Sequence, residues 1–131
     1  MSRDAIVLAK EPCSLSDIWK ALQAVGVNFS KTFEPGSSAE LTGEVASLSV
    51  LADKDHGLVD DGPIRFSEFL CAISFSRAGM GPEMDLFEDL CVSIAKIVAS
   101  ILSRNVPCQT LVVRNGVHIE ASYPAQCAHE S

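Results

Sequence analysis

The sequence lacks an apolar run long enough to cross a bilayer. Its most apolar helix-like segment, 90–102, carries Lys96 in the middle and is shorter than the roughly 20 residues that a membrane-spanning helix needs. The apolar stretch at 5–9 is interrupted at once by Lys10 and Glu11, so it does not form the core of a signal peptide. We therefore expect a cytoplasmic protein with no membrane partner.

Basic residues are scarce, with 10 Lys and Arg against 17 Asp and Glu, and the net charge is -7. Such a charge repels phosphate backbones and attracts basic surfaces. The balance therefore argues against a direct nucleic-acid partner and favours a basic protein, although solubility alone also explains an acidic surface.

Closely spaced cysteine pairs are missing as well. The five cysteines stand far apart at Cys13, Cys71, Cys91, Cys108 and Cys127. An odd number without a CxxC pair indicates neither a disulfide framework nor a zinc site, and is typical of reduced thiols. Cys71 and Cys91 occupy apolar-periodic positions typical of the core, whereas Cys127, in a polar tail, is expected to be the most reactive.

The motifs of common enzymes do not occur. The sequence has no GxSxG, HExxH, P-loop or GxGxxG. Ser93 and Lys96 match SxxK, but the companion SDN and KTG elements are absent, so chance explains the match. We therefore predict a non-enzymatic protein without a cofactor or a metal ion.

What is present predicts one folded domain. A chain of 131 residues that is 47% hydrophobic is long enough for a single core, so we assign one domain to 1–131, with a frayed tail after about residue 124. Hydrophobic periodicity and turn residues predict a strand at 5–10, a helix at 15–25, a loop at 30–39, a strand at 40–51, a strand at 65–77, a helix at 83–104, and hairpin strands at 110–113 and 117–123.

We make more detailed predictions for two of these elements. The strand at 40–51 changes its apolar face partway, which a bulge near Gly43 or Val45 would reconcile. Asn115-Gly116 predicts a two-residue hairpin turn. That turn would set Arg114 opposite Val117 and place one apolar face on Thr110, Val112, Val117, Ile119 and Ala121.

The predicted order is β-α-β-β-α-β-β. It indicates an α+β, two-layer sandwich with an antiparallel-rich sheet of about five strands and two helices on one face. Free edge strands of such a sheet could also support a homodimer.

The densest polar cluster lies in an acidic turn, at Asp53, Asp55, His56, Asp60 and Asp61. An EF-hand loop starting at Asp53 would need Gly where Leu58 stands and Glu where Ile64 stands, so a calcium site is not predicted. His56 has no evident nucleophile nearby for general-base catalysis. Two interpretations stay open: a solvated turn, or an anionic patch facing a partner.

Other candidates for partner binding lie at the ends of predicted elements. Tryptophan and tyrosine side chains often anchor interfaces. The only tyrosine is a better candidate than Trp19, because Trp19 adjoins a helical apolar stripe and is expected to be core or half-buried. The remaining candidates are acidic or histidine side chains on the strand before the long helix, at that helix's start and on the hairpin. Together with the tyrosine, the candidates outside the acidic turn are Glu68, Glu83, Asp85, His118, Glu120 and Tyr123.

The small size, the acidic balance and the layout of strand, helix, strands, long helix and Asn-Gly hairpin resemble bacterial toxin-immunity proteins, including those of contact-dependent inhibition systems. The resemblance covers the whole chain as a layout. It implies a protein that occludes the active site of a basic toxin domain, often a nuclease, made by the same cell. Two alternatives are a small ligand-binding or regulatory domain and an acid-base enzyme centred on His56 or His118.

Overall fold

The computed structural model of the protein describes residues 5–25, 34–37, 40–45, 48–53, 56–58, 64–77, 84–106, 108–114 and 118–124. These residues form seven strands and two helices: β1 (Ala5–Ala9), α1 (Leu15–Val25), β2 (Glu34–Ser37), β3 (Glu40–Val45), β4 (Leu48–Asp53), β5 (Cys71–Arg77), α2 (Met84–Asn105), β6 (Thr110–Arg114) and β7 (His118–Tyr123). A short 3-10 helix, Phe66–Glu68, precedes β5.

The described strands form one sheet in the order β2-β3-β4-β5-β1-β6-β7, and each pair of neighbours is antiparallel. Both helices pack against the same core on one face of this sheet. The predicted α+β arrangement is therefore confirmed. The sheet has more strands than the five predicted, because four strands rather than two separate the helices.

The additional strands correct two predictions. Residues 34–37, expected to lie in a loop, form β2 and pair with β3. The predicted strand 40–51 is two strands, β3 and β4, which pair antiparallel with Val45 opposite Leu48. The apolar face changes at this point because the chain reverses direction, not because a bulge interrupts one strand.

The predicted strand 65–77 was too long. The 3-10 turn Phe66–Glu68 occupies its first part, and β5 begins only at Cys71. Phe69 and Cys71 are both buried, but against opposite faces of the sheet. The alternation of apolar residues in the sequence therefore begins before β5. The backbone bends ahead of β5, so this alternation did not mark where the strand starts.

The helices follow the predictions closely. α1 has the predicted bounds, and α2 begins and ends one residue after the predicted 83–104. Ser14 caps α1: its Oγ accepts a hydrogen bond from the Asp17 backbone N–H at 3.0 Å and donates one to Asp17 Oδ2 at 2.9 Å. Among the described residues, no helix combines the length and apolarity that a bilayer crossing requires.

The β6–β7 register also differs from the prediction. Arg114 pairs with His118, and Val113 pairs with Ile119, so three residues rather than two connect the strands. The pairing then shifts, with Val112 opposite Ala121. Ile119 therefore lies on the other face from Val112, and its side chain is 57% exposed instead of joining the predicted apolar face.

Strand β1 is buried on both sides and divides the core into two parts. Ala5, Val7 and Ala9 join the larger core under the helices, which we call the helix face. Ile6 and Leu8 belong to a smaller cluster on the opposite side, the flap face. It is covered by residues 56–58 and 64–70, here called the flap, through side chains that include Leu58, Ile64, Phe66 and Phe69.

Candidate functional site

The structure describes only part of the acidic turn. Asp55, Asp60, Asp61 and Glu83 lie outside the described residues, and Asp85 lies in α2 with a side chain that is not described. Asp53 ends β4 and is half-buried. The anionic-patch interpretation of the acidic turn therefore stays a prediction. The other described candidates fall into two places: the β6–β7 hairpin and the flap.

At the hairpin, Arg114 joins two elements. Its Nε donates to Glu120 Oε2 on β7 at 2.9 Å, and its Nη1 and Nη2 reach Asp89 Oδ1 on α2 at 3.3 and 3.4 Å. One guanidinium thus serves two carboxylates from different elements, the kind of charge-assisted contact that arginine geometry favours. Arg114 ends the row of β6 side chains that face the helices, which brings it beside the N-terminal part of α2.

Two exposed apolar side chains are next to members of this ion cluster along the chain. Leu90 follows Asp89 on α2 and is 37% exposed. Ile119 precedes Glu120 on β7, but it pairs with Val113 and so projects from the flap face, on the other side of the sheet from Arg114. His118 pairs with Arg114 in the sheet and is exposed. We call this set the hairpin patch; it consists of Asp89, Leu90, Arg114, His118, Ile119 and Glu120.

The hairpin patch has the composition of a protein interface more than that of a reactive centre. Its charged groups contact one another, and its most exposed apolar side chain, Ile119, lies on β7, the last strand of the described sheet. An edge strand offers main-chain hydrogen bonds, and an exposed isoleucine offers an apolar anchor. Two carboxylates share one arginine, so the patch keeps a negative charge.

Tyr123 lies on the same strand as the patch but has another environment. It pairs with Thr110 and packs, half-buried, against the helix-face core. Trp19 likewise packs against that core and is partly buried, as predicted. Both rings therefore contribute packing area to the helix face.

In the flap, His56 holds the backbone in place. Its Nδ1 accepts a hydrogen bond from the Leu58 backbone N–H at 2.9 Å, so Nε2 carries the proton and donates to the Phe69 carbonyl oxygen at 2.8 Å. Both ring nitrogens are thus engaged with backbone groups. This arrangement is that of a structural histidine that links two parts of the flap.

Glu68, the other flap candidate, is paired with Lys10. Lys10 Nζ lies 3.1 Å from Glu68 Oε1 and 5.1 Å from the centroid of the Phe69 ring. Both charged side chains are substantially exposed, so salt and water weaken the ion pair. The contact helps to seat the flap beside the end of β1.

Sequence reasoning identified His118 and Glu120 as neighbours on the hairpin but did not include Arg114 or Asp89 among the named candidates. The missed signal was an arginine at the end of an otherwise apolar strand, a position where its charge needs partners. Those partners stand on elements that are distant in sequence, so only the packing of α2 against β6 brings Asp89 to it.

A third group of reactive side chains lies inside the protein. Cys13, Cys71 and Cys108 are all buried, and the Cys13 thiol interacts with both of the others. The neighbouring Cys71 thiol and burial raise the pKa of Cys13 far above its ordinary value, and burial raises the pKa of Cys108. Across the part of the chain that the structure describes, no cluster of three or more His, Cys, Asp or Glu has a metal-binding arrangement.

Comparisons of the chain with protein-family models, with curated proteins and with solved structures found no match. The function must therefore be inferred from the residues and their geometry.

Proposed function

We propose that this chain is a non-enzymatic, acidic binding protein of the cytoplasm, an immunity protein that binds and neutralises a basic cognate toxin domain. The observation that carries the proposal is the hairpin patch at the edge strand β7, where Ile119 is 57% exposed on the flap face and the next residue, Glu120, is paired with Arg114. A sheet edge that offers an exposed apolar side chain and charged groups suits a partner that adds a strand to it.

The sign of the charge supports a basic partner. The chain carries a net charge of -7, and two of its carboxylates meet in the patch, where they share one arginine. Complementary charge accelerates encounter with a basic surface and disfavours acidic partners. The resemblance to immunity proteins in size, acidity and element order supports the same type of partner.

The edge of β7 suggests how such a partner would bind. An extended segment could add to β7 by main-chain hydrogen bonds while its basic side chains approach Glu120 and Asp89. The acidic turn with Asp60 and Asp61 would extend the anionic surface. The same edge could serve a homodimer, so the mass of the free protein by light scattering should be measured alongside binding.

The test first asks whether a secreted protein with a basic C-terminal domain is encoded immediately upstream of this chain, and then immobilises that domain as the bait. We expect the wild-type protein to bind and to restore the growth of bacteria that express this domain. Ile119→Asp and Glu120→Lys should each weaken binding at least tenfold, with the loss from Glu120→Lys growing smaller at high salt.

Glu11→Lys is the matched control. Glu11 is exposed and follows the opposite end of β1 from Arg114, so this charge reversal should leave affinity within about twofold. Asp60→Lys combined with Asp61→Lys tests the acidic turn separately. Absence of binding by the wild-type protein, or unchanged affinity in all patch and turn variants at low salt, would contradict the proposal.

A further inference from the structure

The end of β1 brings three thiols together from distant parts of the sequence. Cys71 is the first residue of β5 and pairs with Ala9 in the sheet. Cys108 lies just before β6 on the other side of β1, where the Lys10 backbone N–H bonds to the Gln109 carbonyl oxygen at 3.0 Å. Cys13 lies between β1 and α1, so the chain folds back over the place where the two neighbouring strands begin.

Cys13 is the shared partner in this cluster. Its Sγ lies 3.7 Å from the Glu11 carbonyl oxygen, and its thiol interacts with those of Cys71 and Cys108 in the same buried cluster. Neighbouring thiols can form an S–S bond when side-chain rotation brings the two sulfurs to bonding distance. Of the two neighbouring thiols, Cys71 contributes most to the raised pKa of Cys13, whereas Cys108 lowers that pKa.

We propose that Cys13 and Cys71 form a reversible disulfide when the protein meets a small two-electron oxidant, which makes this cluster a redox-modification site independent of the hairpin patch. In the step, both S–H bonds break and one S–S bond forms. With a diazene oxidant, the two hydrogens and their electrons pass to the N=N bond, which becomes a hydrazine.

Access to the cluster follows from its position. Cys13 is buried, but it lies outside regular structure, beside the exposed residues Glu11 and Pro12. Local opening of 10–14 would expose its thiol without separating the strands of the sheet. Because the neighbouring Cys71 thiol and burial raise the pKa of Cys13, its thiol stays protonated at neutral pH, and the disulfide should form slowly there and faster as the pH rises.

The experiment treats the folded full-length protein with diamide, in a Cys127→Ser background that removes the tail thiol. We expect intact mass spectrometry to show the loss of two hydrogens, and peptide mapping under non-reducing conditions to show Cys13 linked to Cys71. A reductant should restore the original mass. The initial rate should rise severalfold between about pH 7 and pH 9.

Three variants identify the residues involved. Cys13→Ala should abolish the mass loss. Cys91→Ala, which removes a buried thiol of α2, and Cys108→Ala should both retain it. Circular dichroism before oxidation verifies that each variant is folded, and the linked peptide from the parent protein gives a result that does not depend on any variant.

The proposal is overturned if the mapped bond joins Cys13 to Cys108, if it involves Cys91, or if Cys13 and Cys71 remain reduced after prolonged treatment at pH 9. It is also overturned if the bond forms only in denaturant, because the folded arrangement of the thiols would then not be its cause.

Discussion

The helices and the flap cover opposite faces of one sheet, and they are held there by different forces. On the helix face, large side chains such as Phe75, Leu22 and Leu102 are fully buried against each other. On the flap face, fewer apolar side chains are buried, and polar contacts add support: both ring nitrogens of His56 and the bond from the Leu70 N–H to the Ala9 carbonyl oxygen at 2.9 Å.

The difference has a general physical reason. A helix satisfies its own backbone hydrogen bonds, so apolar burial on one side suffices to hold it. An irregular segment must find partners for its backbone groups elsewhere, since a buried unpaired N–H or C=O is costly. In the flap, these partners come from the His56 ring and from β1.

The largest difference between the two faces is expected when one buried phenylalanine on each face is truncated to alanine. Phe75 on β5 is fully buried in the helix face, and Phe69 in the flap is 6% exposed. We expect Phe75→Ala to lower the free energy of unfolding by about 4 kcal/mol and Phe69→Ala by about 2 kcal/mol, because the flap can settle into the space left behind. Urea unfolding followed by circular dichroism measures both, and equal losses would show that the flap packs as rigidly as the helices.

Removal of the His56 ring should loosen the flap selectively. His56→Ala leaves the Phe69 carbonyl and the Leu58 N–H without their observed partner, and we expect a loss of about 1 to 2 kcal/mol in the free energy of unfolding. Amide hydrogen exchange should accelerate at Leu58 and Leu70 but not in β6. His118→Ala, which removes an exposed ring, is the control and should change neither measurement.

Alkaline pH should weaken the helix face through the thiol cluster. The folded protein raises the pKa of Cys13 well above the ordinary 9.0, so above about pH 9 the unfolded chain releases this proton while the folded chain keeps it. Stability contributed by the protonated thiol is therefore complete below the unfolded pKa and declines as the pH rises. At roughly pH 9.5 the decline should reach about 1 kcal/mol for this thiol.

Urea unfolding at a series of pH values measures that decline. The Cys13→Ala variant provides the comparison, since its stability should fall less steeply between about pH 8 and pH 9.5. Parallel curves for the two proteins would contradict the assignment. Cys91→Ala controls for the removal of a buried sulfur at another place in the same core.

The smallest effect is expected from the ion pair at the edge of the flap. Lys10 and Glu68 are 36% and 55% exposed in their side chains, so Glu68→Gln should cost less than about 0.5 kcal/mol. Lys10→Gln should cost slightly more, because it also removes the ammonium over the Phe69 ring. Urea unfolding at low and high salt tests this, and a loss above about 1 kcal/mol for Glu68→Gln would show that the pair is a principal support of the flap.

Sequence reasoning predicted best where the determinants are local. The start of α1 follows from Ser14 and Asp17, which contact each other over one turn, and α2 follows from a continuous apolar stripe with helical spacing. The 40–51 segment was assigned incorrectly because a change of apolar face is compatible with both a bulge and a reversal. The Asn115-Gly116 pair indicated the hairpin correctly but not its register.

The candidate site could also be predicted from the sequence only where its residues are local neighbours. His118 and Glu120 were identified because they lie close together on one strand. The Arg114 to Asp89 contact depends on the path of α2 across β6, and the exposure of Ile119 depends on the three-residue connection that pairs it with Val113 instead of Val112. The local sequence pattern indicates neither of these two features.

Local pattern and composition were enough to specify the two amphipathic helices, the alternation that makes extended segments pair into a sheet, and the acidic net charge, because each depends on neighbouring residues or on composition alone. The packed fold was needed to establish which strands flank β1, that the flap covers the second face, and that Cys13 lies near Cys71 and Cys108. These contacts join residues far apart along the chain, and such contacts are selected by the packing of the whole core.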